Sequence, residues 1–184
     1  GGFRPEDEEA EAYGDGKTAQ PLVEGLIQAV AKQLLDLIVL PDVLADPWLE
    51  RIDKLVRRHA DWNFLPYYQA KLLMRLDRTS DAIQVFLPFA RLKKREFWVW
   101  GLLAELVSSD QVGACYARAL TLGTPETFLV KMRQRVAGWL IDQDRWTDAR
   151  AEIDRLVQTR QATGWPIPAE VQQWMNDTHY TQAG

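Results

Sequence analysis

The sequence predicts an all-α fold made of antiparallel helical hairpins. Three observations carry that expectation. Apolar residues recur at helical spacing along almost the whole chain, as in Val23, Leu26, Ile27, Val30, Leu34 and Ile38. No stretch keeps a strict polar–apolar alternation for the length of a strand. Short turns rich in Gly, Pro, Ser and Asp separate segments of helical length, the arrangement that joins neighbouring helices antiparallel.

Each element can be justified in order. The first helix starts at Pro21, a good first-turn residue, and runs to about Leu40. Its apolar residues, Leu35 and Val39 included, exceed one narrow stripe, so it needs cover on more than one side, from the first hairpin or a second copy of the chain. The stretch Pro41–Pro47 should break the chain. A second helix covers roughly residues 47–59 and ends before Ala60-Asp61-Trp62-Asn63, and a third spans about residues 65–76. Asp77–Asp81 is a turn with Ser80 as its N-cap candidate. The fourth helix runs from Asp81 to about Lys94, with a kink or break expected at Pro88.

Residues 97–100, Phe-Trp-Val-Trp, could open a strand, but Leu102 and Leu103 are adjacent and the alternation fails there. Phe97, Trp100, Leu103, Ala104 and Val107 read instead as the stripe of a fifth helix. Trp100 is then a core residue, while Trp98 is either a second packing residue or exposed. Ser109 or Asp110 caps the sixth helix and Gly123 stops it. Thr124 caps the seventh, with Pro125 at its first position, and it continues to about Ile141. The eighth runs from Thr147 to about Gln161. A rigid connector over residues 163–168 leads to a short helix at Ala169–Met175 and a polar tail. Seven to nine helices and no sheet are expected.

Composition narrows the class. The chain has 184 residues, 47% hydrophobic and 26% charged, which suits a soluble globular domain. It begins Gly-Gly rather than with Met, so a longer parent protein is expected. Residues 3–16 carry six acids and one arginine, leaving the rest of the chain near +1 out of a total of −4. A near-neutral body argues against a strongly basic nucleic-acid binder. The single cysteine, Cys115, cannot form an internal disulfide, which favours a reducing, cytoplasmic location. Glu24, Lys32 and Asp36 interrupt the longest apolar stretch, so no membrane span or membrane partner is expected.

Catalytic chemistry is not visible. His59 and His179 have no metal-spaced partner, and there is no glycine-rich phosphate loop. Cys115 sits on an apolar helix face without a histidine at helical spacing, and Glu152 and Asp154 do not share a face. The expectation is a non-enzyme with no cofactor and no metal.

Three turn-to-helix starts align. Their anchors are Ala82, Val112 and Ala149, followed four residues on by Phe86, Tyr116 and Ile153, then by Phe89, Ala119 and Leu156. Each preceding helix carries a small residue, Ala70, Ala104 or Ala137. The anchors are 30 and 37 residues apart, an average near 34. On these residues the chain resembles a degenerate tetratricopeptide-repeat array. The middle unit matches best, with Trp100, Leu103 and Ala104 in the first helix and Tyr116, Ala119, Leu120 and Leu122 in the second. Phe89 departs from the usual small residue, and the middle turn is short. The resemblance implies a short solenoid of stacked hairpins, each burying its apolar face on the next. A second resemblance rests on the Gly164-Trp165 connector and Trp174. It is to the helical region of bacterial conflict-system multidomain proteins, some of which place an RNA-binding barrel downstream. Otherwise Trp165 and Trp174 cap the end of the solenoid.

The expected organisation is an acidic flexible tail at 1–20, an N-terminal helical pair at 21–62, repeats at 63–161, and a connector, capping helix and tail at 162–184. In the repeat family the first helix of each hairpin lines a concave groove. That implies a partner-binding set of Phe64, Tyr67, Lys71, Met74 and Arg75, then Trp98, Gly101 and Glu105, then Lys131 and Gln134. Aromatics mixed with cations suit an acidic or amphipathic peptide, although Lys71 and Arg75 also read as a solvated helix face. The leading expectation is a helical-repeat scaffold for a protein or peptide partner. The alternative is a module assisting RNA or DNA binding through Arg51, Lys54, Arg58 and residues 91–95, which a steep salt dependence would reveal.

Overall fold

The computed structural model describes residues 3–14, 16–59, 62 and 64–183, with only the backbone at 13 and 17. Of the four residues expected to follow the second helix, Trp62 alone is described, and Asp15 of the acidic segment also lies outside the described residues. The fold is helical, as expected. Ten α-helices are present among the described residues: α1 (Leu22–Leu35), α2 (Asp42–Arg58), α3 (Leu65–Arg75), α4 (Thr79–Leu92), α5 (Phe97–Leu106), α6 (Ser109–Leu120), α7 (Glu126–Asp142), α8 (Trp146–Thr163), α9 (Ala169–Met175) and α10 (Thr178–Gln182). A single 3-10 turn covers Pro5–Glu8. The chain forms two compact units, residues 1–92 and 93–184.

In the first unit α3 packs against α1, α2 and α4. That explains why Leu65, Ala70, Leu72 and Leu73 are all buried, more than one helix face can hold. α1 turns Val23, Ile27, Ala31 and Leu34 inward, at helical spacing, and α3 covers that face; Leu26, Ile38 and Val39, expected to need cover on a second side, are exposed. Phe86 of α4 is fully buried, with Phe89 tilted against it at 5.7 Å.

The second unit holds the hairpins α5–α6 and α7–α8, with α6 also packed on α7. Two glycines permit close approach. Met132 of α7 lies over Gly101, and a Cβ at Gly113 would stand 2.9 Å from the Trp139 indole. Val171, Trp174 and Tyr180 close this core over Ala137, Ile153 and Val157. The Tyr180 hydroxyl donates to Asp154 at 2.5 Å; burial and then that carboxylate push the phenol up to about 12. Arg133 is 4% exposed on α7. It donates two hydrogen bonds to Glu126, at 2.6 and 2.7 Å, and a third to Glu152.

The aligned positions behave alike. Ala82 and Ala149, Phe86, Tyr116 and Ile153, Phe89, Ala119 and Leu156, and Ala70, Ala104 and Ala137 are all buried, and only the anchor Val112 is half-buried. The first and last of these hairpins also share one turn. Asp77 and Asp144 take φ of 57° and 56°, and the next amides, Arg78 and Arg145, reach back to the carbonyls of Leu73 and Leu140. Both have the Schellman pattern with an aspartate in the left-handed position.

Several expectations need correction. Ala12–Tyr13 and Lys17–Thr18 form a two-residue antiparallel pair, β1–β2, where no sheet was expected. The first helix ends at Leu35 rather than Leu40. Residues 42–46 are helical, with Pro41 as N-cap and Pro47 inside α2. Pro47 deprives only the Val43 carbonyl of a donor, and Val43 is so exposed that water can replace it. α4 begins at Thr79, places Ser80 inside the helix, and runs unbroken through Pro88. The polar tail contains α10, whose N-cap Asp177 accepts the His179 amide.

Trp100 is the largest correction. α5 buries Val99, Leu102, Leu103, Ala104 and Leu106, so of the expected stripe Leu103 and Ala104 are inward while Phe97, Trp100 and Val107 are half-buried. Trp100 is half-buried, and its indole N–H donates to the Lys94 carbonyl at 2.8 Å. Because α5 is apolar on nearly every face, hydropathy alone does not select its phase, and the polar indole edge favours the half-exposed side. Trp100→Ala should therefore cost about 1–2 kcal/mol, below the ~3–5 kcal/mol of a fully buried large aromatic. Urea unfolding of the two proteins measures the difference.

Candidate functional site

The groove expected from the repeat resemblance is divided between the two units. In the first, Phe64 is the N-cap of α3 and is exposed. Tyr67 and Lys71, one turn apart, are half-buried, with the Lys71 ammonium 5.6 Å from the Tyr67 ring centre. Met74 is half-buried. Arg75 is exposed and donates to the carbonyls of Leu37 at 2.6 Å and Ile38 at 3.2 Å. It holds the turn after α1, a structural task additional to any contact with a partner.

In the second unit, Trp98 is half-buried on α5, Gly101 is buried beneath Met132, and Glu105 accepts a 2.5 Å bond from Arg135. Lys131 is exposed on α7. Gln134 donates to Glu170 of α9 at 2.7 Å. Side chains of α7 and α9 thus already occupy part of this set.

The basic positions of the alternative reading are also engaged in part. Arg58 donates to both oxygens of Glu8, at 2.7 and 2.8 Å, and the Arg51 guanidinium lies 5.1 Å from the Trp48 ring centre. His59 bonds Glu8 at 2.7 Å and stacks on Trp62, with ring centres 4.1 Å apart. The His59 bond, then Arg58, holds the Glu8 carboxyl below its usual range. Glu8, His59 and Trp62 line a cavity of about 500 Å³, to which Glu24, Gln28 and Phe64 also contribute. Cys115 is buried on α6, and burial pushes its thiol up, away from the reactive thiolate.

The most exposed apolar feature was not anticipated. It is the turn after α1 and the first turn of α2. Ile38 is 96% exposed, Val39 74% and Val43 83%, with Leu37 and Leu44 also exposed. Five large aliphatics within eight residues form a ridge whose turn is fixed by Arg75. At its edge, Arg78 pairs with both Asp42 and Asp46. The sequence signal was present in the run Leu37–Leu40 followed by Val43-Leu44, but a long first helix would have turned part of that run inward.

α3 to α10 lie within the match to a known family, while α1, α2 and the ridge lie outside it. The chain belongs to the family defined by a domain of unknown function, DUF7017, whose model matches residues 63–184. No curated protein and no solved structure matches the chain. Among the described residues no helix is long and apolar enough to cross a membrane.

Proposed function

We propose that this protein is a non-catalytic helical-repeat scaffold that binds a protein partner. The observation that carries the reading is the exposed aliphatic ridge of Leu37, Ile38, Val39, Val43 and Leu44. Scattered surface aliphatics are ordinary, but a contiguous exposed group of this size is typical of an interaction site. A ridge held by hydrogen bonds from Arg75 also loses little conformational freedom on binding. The shared burial pattern and shared turn of the hairpins support the tetratricopeptide-like reading and a stacked, solenoid arrangement. A nucleic-acid partner is the weaker reading, since Arg58 is bound to Glu8 and an aliphatic ridge offers nothing to phosphate.

The test is the double substitution Ile38→Asp with Val43→Asp in the full chain. Both side chains are exposed, so the melting temperature should change by no more than about 2 °C. A partner recovered by proximity labelling should bind the variant at least about tenfold more weakly in calorimetry, with little dependence on salt. Unchanged affinity would remove the ridge from the interface. A steep loss of affinity with salt would instead support the nucleic-acid reading.

A further inference from the structure

A second cleft of the first unit carries chemistry the ridge does not have. α3 packs against both α2 and α4, and the cleft opens between them. Its volume is about 320 Å³, within the usual range for ligand sites. Val56 of α2, Pro66 of α3, and Val85, Pro88 and Phe89 of α4 make its walls mostly apolar, and Leu92 stands at one end.

Gln69 of α3 also lines this cleft. Its side chain is among the buried polar groups, 5% exposed, and its amide makes no hydrogen bond to any described residue. The amide is not sealed off, because among the described residues Arg160 alone has a fully enclosed side-chain nitrogen or oxygen without a partner. The cleft is therefore what reaches it. A nearly buried polar side chain without a partner is unusual in a native interior and is a candidate for satisfaction by a ligand.

The chemistry of the walls selects the occupant. A glutamine amide presents a donor and an acceptor side by side, the complement of a peptide group's own C=O and N–H. A nucleobase edge offers the same pairing. The lining has one charged residue among those described, Asp53, already paired with Arg57 at 2.9 Å, and no cation to receive phosphate. Charge complementarity thus favours a neutral or basic peptide. We propose that this cleft binds an extended peptide segment of a partner protein, burying one aliphatic side chain while the peptide's backbone pairs with the Gln69 amide. The inference rests on the reading of the chain as a protein-binding scaffold, but it uses a different surface from the ridge.

The probe is a displayed random dodecapeptide library panned on the full chain, with the recovered peptides synthesised and titrated. Enriched peptides should share an aliphatic residue flanked by neutral or basic residues. Their affinity should fall at least tenfold for Gln69→Leu, which keeps size and apolarity, and also for Gln69→Glu, which keeps acceptors but loses the donor. The side-chain amide signals of Gln69 should move in a nitrogen-15 spectrum when peptide is added, a change that a purely structural role would not produce. Failure to enrich any such peptide overturns the proposal. So do peptides that bind Gln69→Leu normally; if those lose affinity for the Ile38→Asp, Val43→Asp variant, the ridge reading stands while the cleft reading falls. Gln69-dependent binding of a labelled oligoadenylate in place of peptide overturns it, as does a dimer that Gln69→Leu converts to monomer, since the cleft would then hold a second copy.

Discussion

Arg133→Ala should destabilise the protein by about 3 kcal/mol, because it leaves buried negative charge without its partner. Arg133 is almost wholly enclosed, and Glu152 is largely enclosed beside it. Burial alone would lower the Arg133 pKa, but the hydrogen bonds and charges of Glu126 and Glu152 outweigh that effect and raise it. Arg133→Lys should recover part of the loss, since an ammonium keeps the charge but not the planar fork that engages Glu126 twice. The sign of the pH dependence follows from Glu126, whose carboxyl is held below its ordinary value of 4.5 chiefly by the Arg133 hydrogen bonds. Its contribution is fully present above that ordinary value and is lost as pH falls through the lower, folded-state value. Urea unfolding at pH 7 and again in the acid range should show the gap between wild type and Arg133→Ala narrowing in acid. A gap that stays constant would assign the effect to packing rather than charge.

Phe86→Ala should cost about 3–5 kcal/mol, the usual range for removing a fully buried phenylalanine. Phe86 sits at the recurring position four residues after the anchor Ala82, has no exposed surface, and packs beside Phe89. Phe86→Leu should cost much less, because it fills most of the volume. The larger substitution should lower the melting temperature by roughly 10 °C for a chain of this size. A drop of only a few degrees would mean that the neighbouring helices collapse into the vacated space.

The two predictions draw on different kinds of information. Phe86 is legible in the sequence, since its recurrence with Tyr116 and Ile153 marks a core position. Arg133 was not marked. A lone arginine in a helix gives no sign that Glu126, seven residues earlier, and Glu152, on the next helix, will converge on it.

Much of the candidate site was illegible for the same reason. Tyr67, Lys71 and Arg75 were identified as residues of one helix, but that Arg75 spans to the carbonyls of Leu37 and Ile38 depends on how α3 packs against α1. Gln69 looked like an ordinary polar helix residue. Only α2 and α4 closing on either side of α3 make its amide both nearly buried and open to a cleft.

The sequence by itself determined the helical class, the recurring buried positions and the short helix at Ala169–Met175, because periodicity, caps and turns are local and their energies act within a few residues. Tertiary structure alone decided which face of α5 is inward, where α1 ends, and which aliphatics stay in water. Those outcomes depend on competition between faces of similar hydrophobicity, which is settled by the neighbour that arrives from elsewhere in the chain. Trp100 shows this most plainly: Val99, Leu102 and Leu106 pack inward, and the indole remains at the boundary where its N–H finds the Lys94 carbonyl.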